Sequence, residues 1–393
     1  MKNNSFIYLL LPLIFFVWSC EETVETTTPI QPKHLVTVSL VKEYSRADFL
    51  NTLGQNAQFI SALVRGGVRQ YKIVYKTKNT EGTDILASGA MTVPVGITDK
   101  VPLLSYQHGT IFNDRDAPSY FSETGGEGQT ATLIASMGYI VSAPDYIGYG
   151  ETKNIPHTYE QREGLATASL DMLRAVKEAI AQEKLNWNES TYIAGYSEGG
   201  FASMSLLKKL EETAASEFTV KAASCGAGAY NKTLSFKTMV NTPTSGIATH
   251  NASYIWVLLT YDNIYKLNRP ISAYFVEPHA SQIEKERQNA RITGNLGDLL
   301  NPTFKKGISD GTDTALLAAV ADNDVFDWKP KTTLRLYHGD KDDYVPYFNS
   351  QTAVDAMKKR GVDVELKTIV GGDHATSISE FLLGSLQFFQ EKR

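Results

Sequence analysis

Three short stretches, far apart in the chain, hold residue types that could together transfer an acyl group. The first is GYSEGG, Gly195 to Gly200, which sets Ser197 between glycines. A serine hydroxyl is a weak nucleophile at neutral pH; it needs a positioned base, and the base needs a carboxylate to orient it. The stretch GGDHATS offers a base in His374, and HGDKDDYVP offers an acid in Asp340, Asp342 or Asp343. The competing reading of Ser197 is a small residue in a tight turn, and the elements on either side decide between the two.

Those elements alternate. YKIVYKT and LASGAMTVPV read as an early pair of strands around the NTEGTD turn. VPLLSYQHGT, YIVSAPDY, STYIAGYS, VKAASCGAG, TTLRLYHGD and DVELKTIVGG follow as short β-type runs, several apolar on both faces as buried parallel strands are. Helical patterns fall between them at residues 128–137, 160–182 and 199–212, and another at 377–390 closes the chain. This alternation is the signature of an α/β fold with a mostly parallel central sheet flanked by helices. One stretch breaks it. Residues 232–327, between the sixth and seventh core strands, are far longer than a strand-to-strand crossover and carry helical patterns of their own. They read as a helical cap inserted into the parent domain. Its aromatics Tyr254, Trp256, Tyr261, Tyr265 and Phe275 either line a substrate pocket or form the cap's own core.

With STYIAGYS as a strand and a helix from Gly199, Ser197 falls at a sharp strand-to-helix turn. Such a turn needs small residues two positions to either side, and Gly195 and Gly199 meet that need. The serine hydroxyl then projects from the C-terminal edge of the sheet. The first N–H groups of the following helix face the same point, so the N–H of Glu198 can help hold an oxyanion. The Glu198 side chain has no chemical part in this reading. A second donor is expected from YQHGT, where the His108-Gly109 pair lets the backbone turn tightly and aims the N–H of Thr110, or that of Gly109, at the site. Of seven histidines, His374 alone follows the last strand and precedes the last helix. His108 precedes the serine, the wrong order for a base in this arrangement. APDYIGYGET, with Asp145 and Tyr146, is a Gly-rich turn on the same edge.

The oxyanion loop, elbow, acid loop and histidine loop, in that order, resemble an α/β-hydrolase, and the finer match is to the secretory lipase family. It is carried by ASGAMTVPVG, PLLSYQHGT with a following APSY, GYIVSAPDYIGYG, GYSEGG, DYVPY and GGDH, and runs from about RQYKIVYKT to the C-terminus. Asp342, three residues after Gly339 and four before Pro346, has the spacing that resembles the acid loop of many such hydrolases. The resemblance implies a serine esterase or lipase acting on carboxylic esters without metal or cofactor, with Ser197 as nucleophile, Asp342 as acid and His374 as base. Family members often carry a cysteine near APSY, where this chain has Asp116. The alternatives are a serine peptidase of the same fold and a non-catalytic, ligand-binding surface lipoprotein. The region before the sheet is too short for the propeller of a large peptidase, and all three triad residue types are present, so the ester hydrolase leads.

The 393 residues carry a formal net charge of −5 and no basic stripe for a phosphate backbone, so nucleic acid is not an expected partner. The expected partner is a small-molecule or polysaccharide-linked ester. At the N-terminus, Lys2 precedes an apolar run from Phe6 to Trp18 that ends in Ser19 and Cys20. A membrane span needs about 20 apolar residues, so residues 1–19 read as an export signal. A small residue followed by cysteine resembles the lipobox of bacterial lipoproteins. That resemblance implies lipidation of Cys20 and anchorage of the exported protein to the cell envelope, at the outer membrane. Glu21 and Glu22 resemble a surface-export tag. Residues 20–33, Thr-rich and punctuated by proline, read as a flexible tether, and 34–393 as the folded domain. Cys225 is then left without a disulfide partner and reads as a small buried residue.

Overall fold

The computed structural model describes residues 32–122 and 125–393, and within them nine strands join one sheet in the order β1-β2-β3-β5-β4-β6-β7-β8-β9. The strands are β1 (Leu35–Tyr44), β2 (Gly67–Lys78), β3 (Asp84–Val95), β4 (Val101–Gln107), β5 (Ile140–Pro144), β6 (Trp187–Tyr196), β7 (Thr219–Gly226), β8 (Thr333–Gly339) and β9 (Val364–Ile369). Pairing is antiparallel from β1 through β3 to β5 and parallel from β5 onward. The expected strands are all present. Strand β1 adds an edge that the sequence reading did not contain; it is mostly exposed, its Val36, Leu40 and Val41 included. The export signal, Cys20 and the tether up to residue 31 lie outside the described residues. From Lys33 the backbone is already held: the N–H groups of Lys33, His34 and Leu35 donate to the Glu178 carboxylate at 3.0, 3.0 and 2.7 Å.

Residues along each parallel strand alternate between two apolar clusters, because successive side chains point to opposite faces. Leu103, Ile193, Ala223 and Leu336 pack on one face; their neighbours Leu104, Tyr192, Ala222 and Tyr337 pack on the other. The first face is covered by helices that contribute Leu173 and Val176, Phe201 and Met204, and Val354 and Met357; the second by helices that contribute Ile134 and Phe388. In chain order the main helices are α1 (Glu127–Ser136), α2 (Arg162–Gln182), α3 (Glu198–Thr213), α4 (Lys232–Asn241), α5 (Ala248–Ile264), α6 (Phe348–Lys359) and α7 (Ile378–Glu391). The four expected helices appear with their ends moved by one or two residues. Helix α6 was not foreseen, although the parallel step from β8 to β9 requires a crossover.

Between β7 and β8 the chain leaves the sheet and forms α4, α5 and several shorter helices, including Pro302–Ser309 and Thr314–Asp322. This insertion has a core of its own, with Ile255, Tyr261, Phe275, Phe304 and Leu316 at its centre. Its aromatics divide. Tyr261 and Phe275 belong to that core and Tyr265 packs at its edge, while Trp256 turns into the main core and stacks on Tyr159 at 4.4 Å. Tyr254 alone of the five lines a cavity that reaches Ser197.

Register brings the site loops together. Gln107 aligns with Gly195, Gly195 with Cys225, Cys225 with Leu336, and Gly339 with Ile369. The loops after β4, β6, β8 and β9 therefore leave the sheet at one carboxyl edge, where ligands of open α/β sheets bind. Cys225 is a free thiol buried beneath that edge.

Candidate active site

Strand β6 hands Ser197 to α3 through a strained turn. Ser197 adopts φ 61° and ψ −125°, a region where a non-glycine residue carries strain of about 1–3 kcal/mol. The surrounding backbone holds it there: its N–H donates to Gly226 O at 2.9 Å, and its carbonyl accepts from Phe201 N at 3.1 Å. Space dictates the glycines. A Cβ on Gly195 would stand 2.3 Å from Gly199 O, and one on Gly199 2.1 Å from Gln107 O. Gly200, to which the motif drew no attention, is equally constrained, since its Cβ would meet Gly226 O at 2.1 Å.

The Ser197 hydroxyl stands 2.9 Å from His374 Nε2, and His374 Nδ1 stands 2.7 Å from Asp342 Oδ2. Of the three candidate carboxylates, Asp342 is the one that reaches His374. Asp340 instead accepts from Gly371 N at 2.7 Å, and Asp343 is exposed. The Asp342 side chain is 0% exposed and is met by four N–H groups. The backbone N–H groups of Tyr344 and Val345 donate to Oδ1 at 2.9 and 2.8 Å. On Oδ2, His374 is joined by His338 Nε2 at 3.2 Å. That nitrogen also lies 2.9 Å from Val345 O, a pure acceptor, so it carries the proton, while Nδ1 bonds Ser350 Oγ at 2.7 Å. Burial opposes the charge on Asp342, but the hydrogen bonds and charges of His338 and His374 outweigh it and hold the carboxyl well below the usual carboxylate range. Tyr196 OH donates to His374 O at 2.8 Å, and the Tyr344 ring meets the imidazole edge-on at 4.8 Å.

The other side of Ser197 is built from the loops after β4 and β5. His108 is buried and braces this corner, with Nδ1 2.8 Å from Gly109 O and Nε2 3.2 Å from Asp145 O; Tyr146 OH donates to His108 O at 3.2 Å. Gly109 keeps a negative φ, and a Cβ there would make only ordinary contacts, 3.4 Å to Tyr196 O and 3.9 Å to Ser197 Cβ. The turn therefore does not demand a glycine, contrary to the expectation for the His108-Gly109 pair; side-chain bonds shape it instead. Thr110 Oγ1 lies 2.9 Å from Tyr159 OH. Asp145 is a buried brace, accepting from Ser88 Oγ at 2.6 Å and from Ser119 N and Oγ at 2.8 and 2.6 Å; burial pushes its carboxyl up.

Glu198, the first residue of α3, is buried with its Oε1 2.7 Å from His157 Nε2. His157 Nδ1 donates to Ile147 O at 2.6 Å, so a single proton is placed between Nε2 and the carboxylate. Tyr149 and Trp256 pack on the His157 ring at 4.8 and 5.3 Å. The sequence reading named neither His157 nor His338. For His338 a signal existed, four residues before Asp342 at the end of β8; His157 sits in a loop with no motif around it.

A cavity of about 80 Å³ is lined by Ser197 together with Phe236, Met239, Val257, Leu258, Leu300 and Phe304 of the inserted helices. Its walls are almost wholly apolar.

A family model described as secretory lipase matches residues 130–382. Among solved structures, a candidate hydrolase from Legionella pneumophila is 25% identical with a TM-score of 0.80, over 91% of this chain and 98% of that one. The rice cell wall degrading esterase LipA from Xanthomonas oryzae is 21% identical with a TM-score of 0.80, over 93% and 100%. Candida antarctica lipase A is 18% identical with a TM-score of 0.66, over 92% and 82%. No curated protein matches the chain. The chain has the α/β-hydrolase fold of these structures and belongs to the secretory lipase family, as a carboxylic ester hydrolase.

Proposed function

We propose that the chain cleaves carboxylic esters through an acyl-enzyme on Ser197, with His374 as base and Asp342 as its orienting acid. The observation that carries this reading is the continuous hydrogen-bonded line from Ser197 Oγ through His374 to Asp342, at 2.9 and 2.7 Å, starting from a strained elbow. His374 takes the hydroxyl proton as Oγ bonds to the ester carbon. The carbonyl oxygen becomes an oxyanion held by the N–H groups of Glu198 and Thr110, each such donor being worth about 10²–10³ in rate. Collapse breaks the bond to the alcohol, which leaves with the proton from His374. Water then repeats the sequence on the acyl group: His374 takes its proton, the acid is released, and Ser197 regains its hydrogen.

In this reading the inserted helices, residues 232–327, are the cap over the acyl site, and the acyl chain lies in the apolar cavity. Export by residues 1–19, lipidation of Cys20 and outer-membrane anchorage through the 20–33 tether complete the proposal; the family supports export. Metabolic labelling with a fatty acid, lost in Cys20→Ala, tests the anchor.

The activity is tested with p-nitrophenyl esters from acetate to palmitate on the protein without its tether, beside Ser197→Ala and His374→Ala. Turnover in the parent and a loss of several orders of magnitude in both variants is the expected result. A folded protein without turnover on any ester contradicts it.

A further inference from the structure

Two ionisable side chains stand in the mostly apolar wall of the acyl cavity, which also holds Ser235 and Ser253. Lys232, the first residue of α4, and Glu160, just before α2, are 3% and 6% exposed, and both line the space that Ser197 lines. Lys232 Nζ is paired with Glu160 Oε2. Lys232 Nζ also lies 4.1 Å from the ring centre of Phe201, the residue whose N–H closes the first turn of α3 onto Ser197. Asp324 fixes the start of α4 by accepting from Thr233 N and Oγ1 at 3.0 and 2.6 Å. Glu160 is held in a left-handed backbone conformation, φ 53°, with its carbonyl pinned by Tyr261 OH at 2.9 Å.

Stability does not account for this arrangement. A buried ion pair commonly stabilises a fold no more than apolar residues of the same volume would, and a glutamate in the left-handed region adds backbone strain. Strain of that kind gathers at ligand clamps. An ammonium has three donors and a carboxylate two acceptor oxygens. The pair occupies one of each on itself, and among the described residues neither side chain has another hydrogen-bond partner. What remains is a donor beside an acceptor, the complement of a hydroxyl group.

We infer that the Lys232–Glu160 pair is a polar station in the acyl cavity that selects esters whose acyl chain carries a hydroxyl partway along its length. The hydroxyl oxygen accepts from Lys232 and its proton is donated to Glu160. The inference rests on the acyl chain occupying this cavity, as proposed above.

The test is a positional scan. Values of kcat/KM are measured for p-nitrophenyl octanoate and for its isomers hydroxylated at C3, C6 or C7, which do not readily lactonise, on the parent and on Lys232→Met/Glu160→Leu. In the parent one isomer is expected to exceed the other isomers at least tenfold and to match or exceed the plain octanoate. In the double variant that advantage disappears and the plain chain leads. The parent scan stands alone if the double variant does not fold. A parent that disfavours the hydroxyl equally at every position overturns the inference, as does a positional preference that survives in a folded double variant. Turnover of plain but not hydroxylated esters overturns this inference alone; absence of turnover on every ester, acetate included, overturns the proposed function with it.

Discussion

The carboxyl edge of the sheet and the inserted helices divide the work of the molecule, and they are built differently. At the edge, positions are fixed by backbone. Glycines at 195, 199 and 200 leave no room for a side chain, Ser197 is strained in place, and four N–H groups converge on one carboxylate. In the insertion, residues between β7 and β8 form a separate apolar core around Tyr261, Phe275 and Phe304, and most of its share of the cavity wall is apolar, with Phe236, Met239 and Leu258 in it. In the proposed function, chemistry falls to the rigid edge and substrate fit to the insertion. Variants at the edge are expected to alter the rate on every ester, whereas variants in the insertion discriminate among esters.

The largest effect is expected for Ser197→Ala, with kcat falling about 10⁶-fold on short and long esters alike. Unequal losses across chain lengths, measured with acetate and octanoate, would blur the division. Next comes Asp342→Asn, with a fall of about 10⁴-fold because the His374 tautomer is no longer fixed. The same variant has a signature in stability. A carboxyl whose folded value lies below its unfolded value, about 3.9, contributes stability that is present above the unfolded value and is lost as pH falls through the folded one. Asp342 is such a group. Denaturant melts of parent and Asp342→Asn are therefore expected to differ most at neutral pH and to converge as the solution is acidified below about pH 4.

A smaller loss, about tenfold, is expected for His338→Phe, the equivalent of one charge-assisted hydrogen bond to Asp342. Without that donor the Asp342 carboxyl is protonated at a higher pH, so in denaturant melts its stability contribution is lost at a higher pH than in the parent; an unmoved pH dependence would show that His338 only fills space. The smallest effect belongs to the insertion. Val257→Phe narrows the cavity, and kcat/KM for octanoate is expected to fall about tenfold further than that for acetate.

Legibility in the sequence follows the same division. The places of Ser197 at the turn and of His374 in the last loop could be read because a strand-to-helix turn tolerates so few residues and because the order of loops is constrained. Asp342 was separable from Asp340 and Asp343 only by resemblance, and its burial gives the physical reason: it alone points inward to His374. Of the supporting partners only His338 left a signal, its place four residues before Asp342. His338 and Ser350 act through contacts across a strand and a helix, and His157 meets Glu198 from a loop 41 residues away. Strand β1 was missed although LVTVSLV is rich in β-formers, and it lies directly after the stretch read as a tether. The insertion was visible as an overlong connection, but its generic hydrophobics did not say which of them faced the cavity, and Trp256 went to the main core instead.

The central claim is that Ser197 is the nucleophile. The most direct measurement is to treat the protein with an alkyl fluorophosphonate, digest it and locate the adduct by mass spectrometry. A single phosphonyl adduct on the peptide containing Ser197, formed in step with loss of esterase activity and absent from Ser197→Ala, is the expected result. Loss of activity with the label on another serine, or esterase activity that persists in Ser197→Ala, would contradict it.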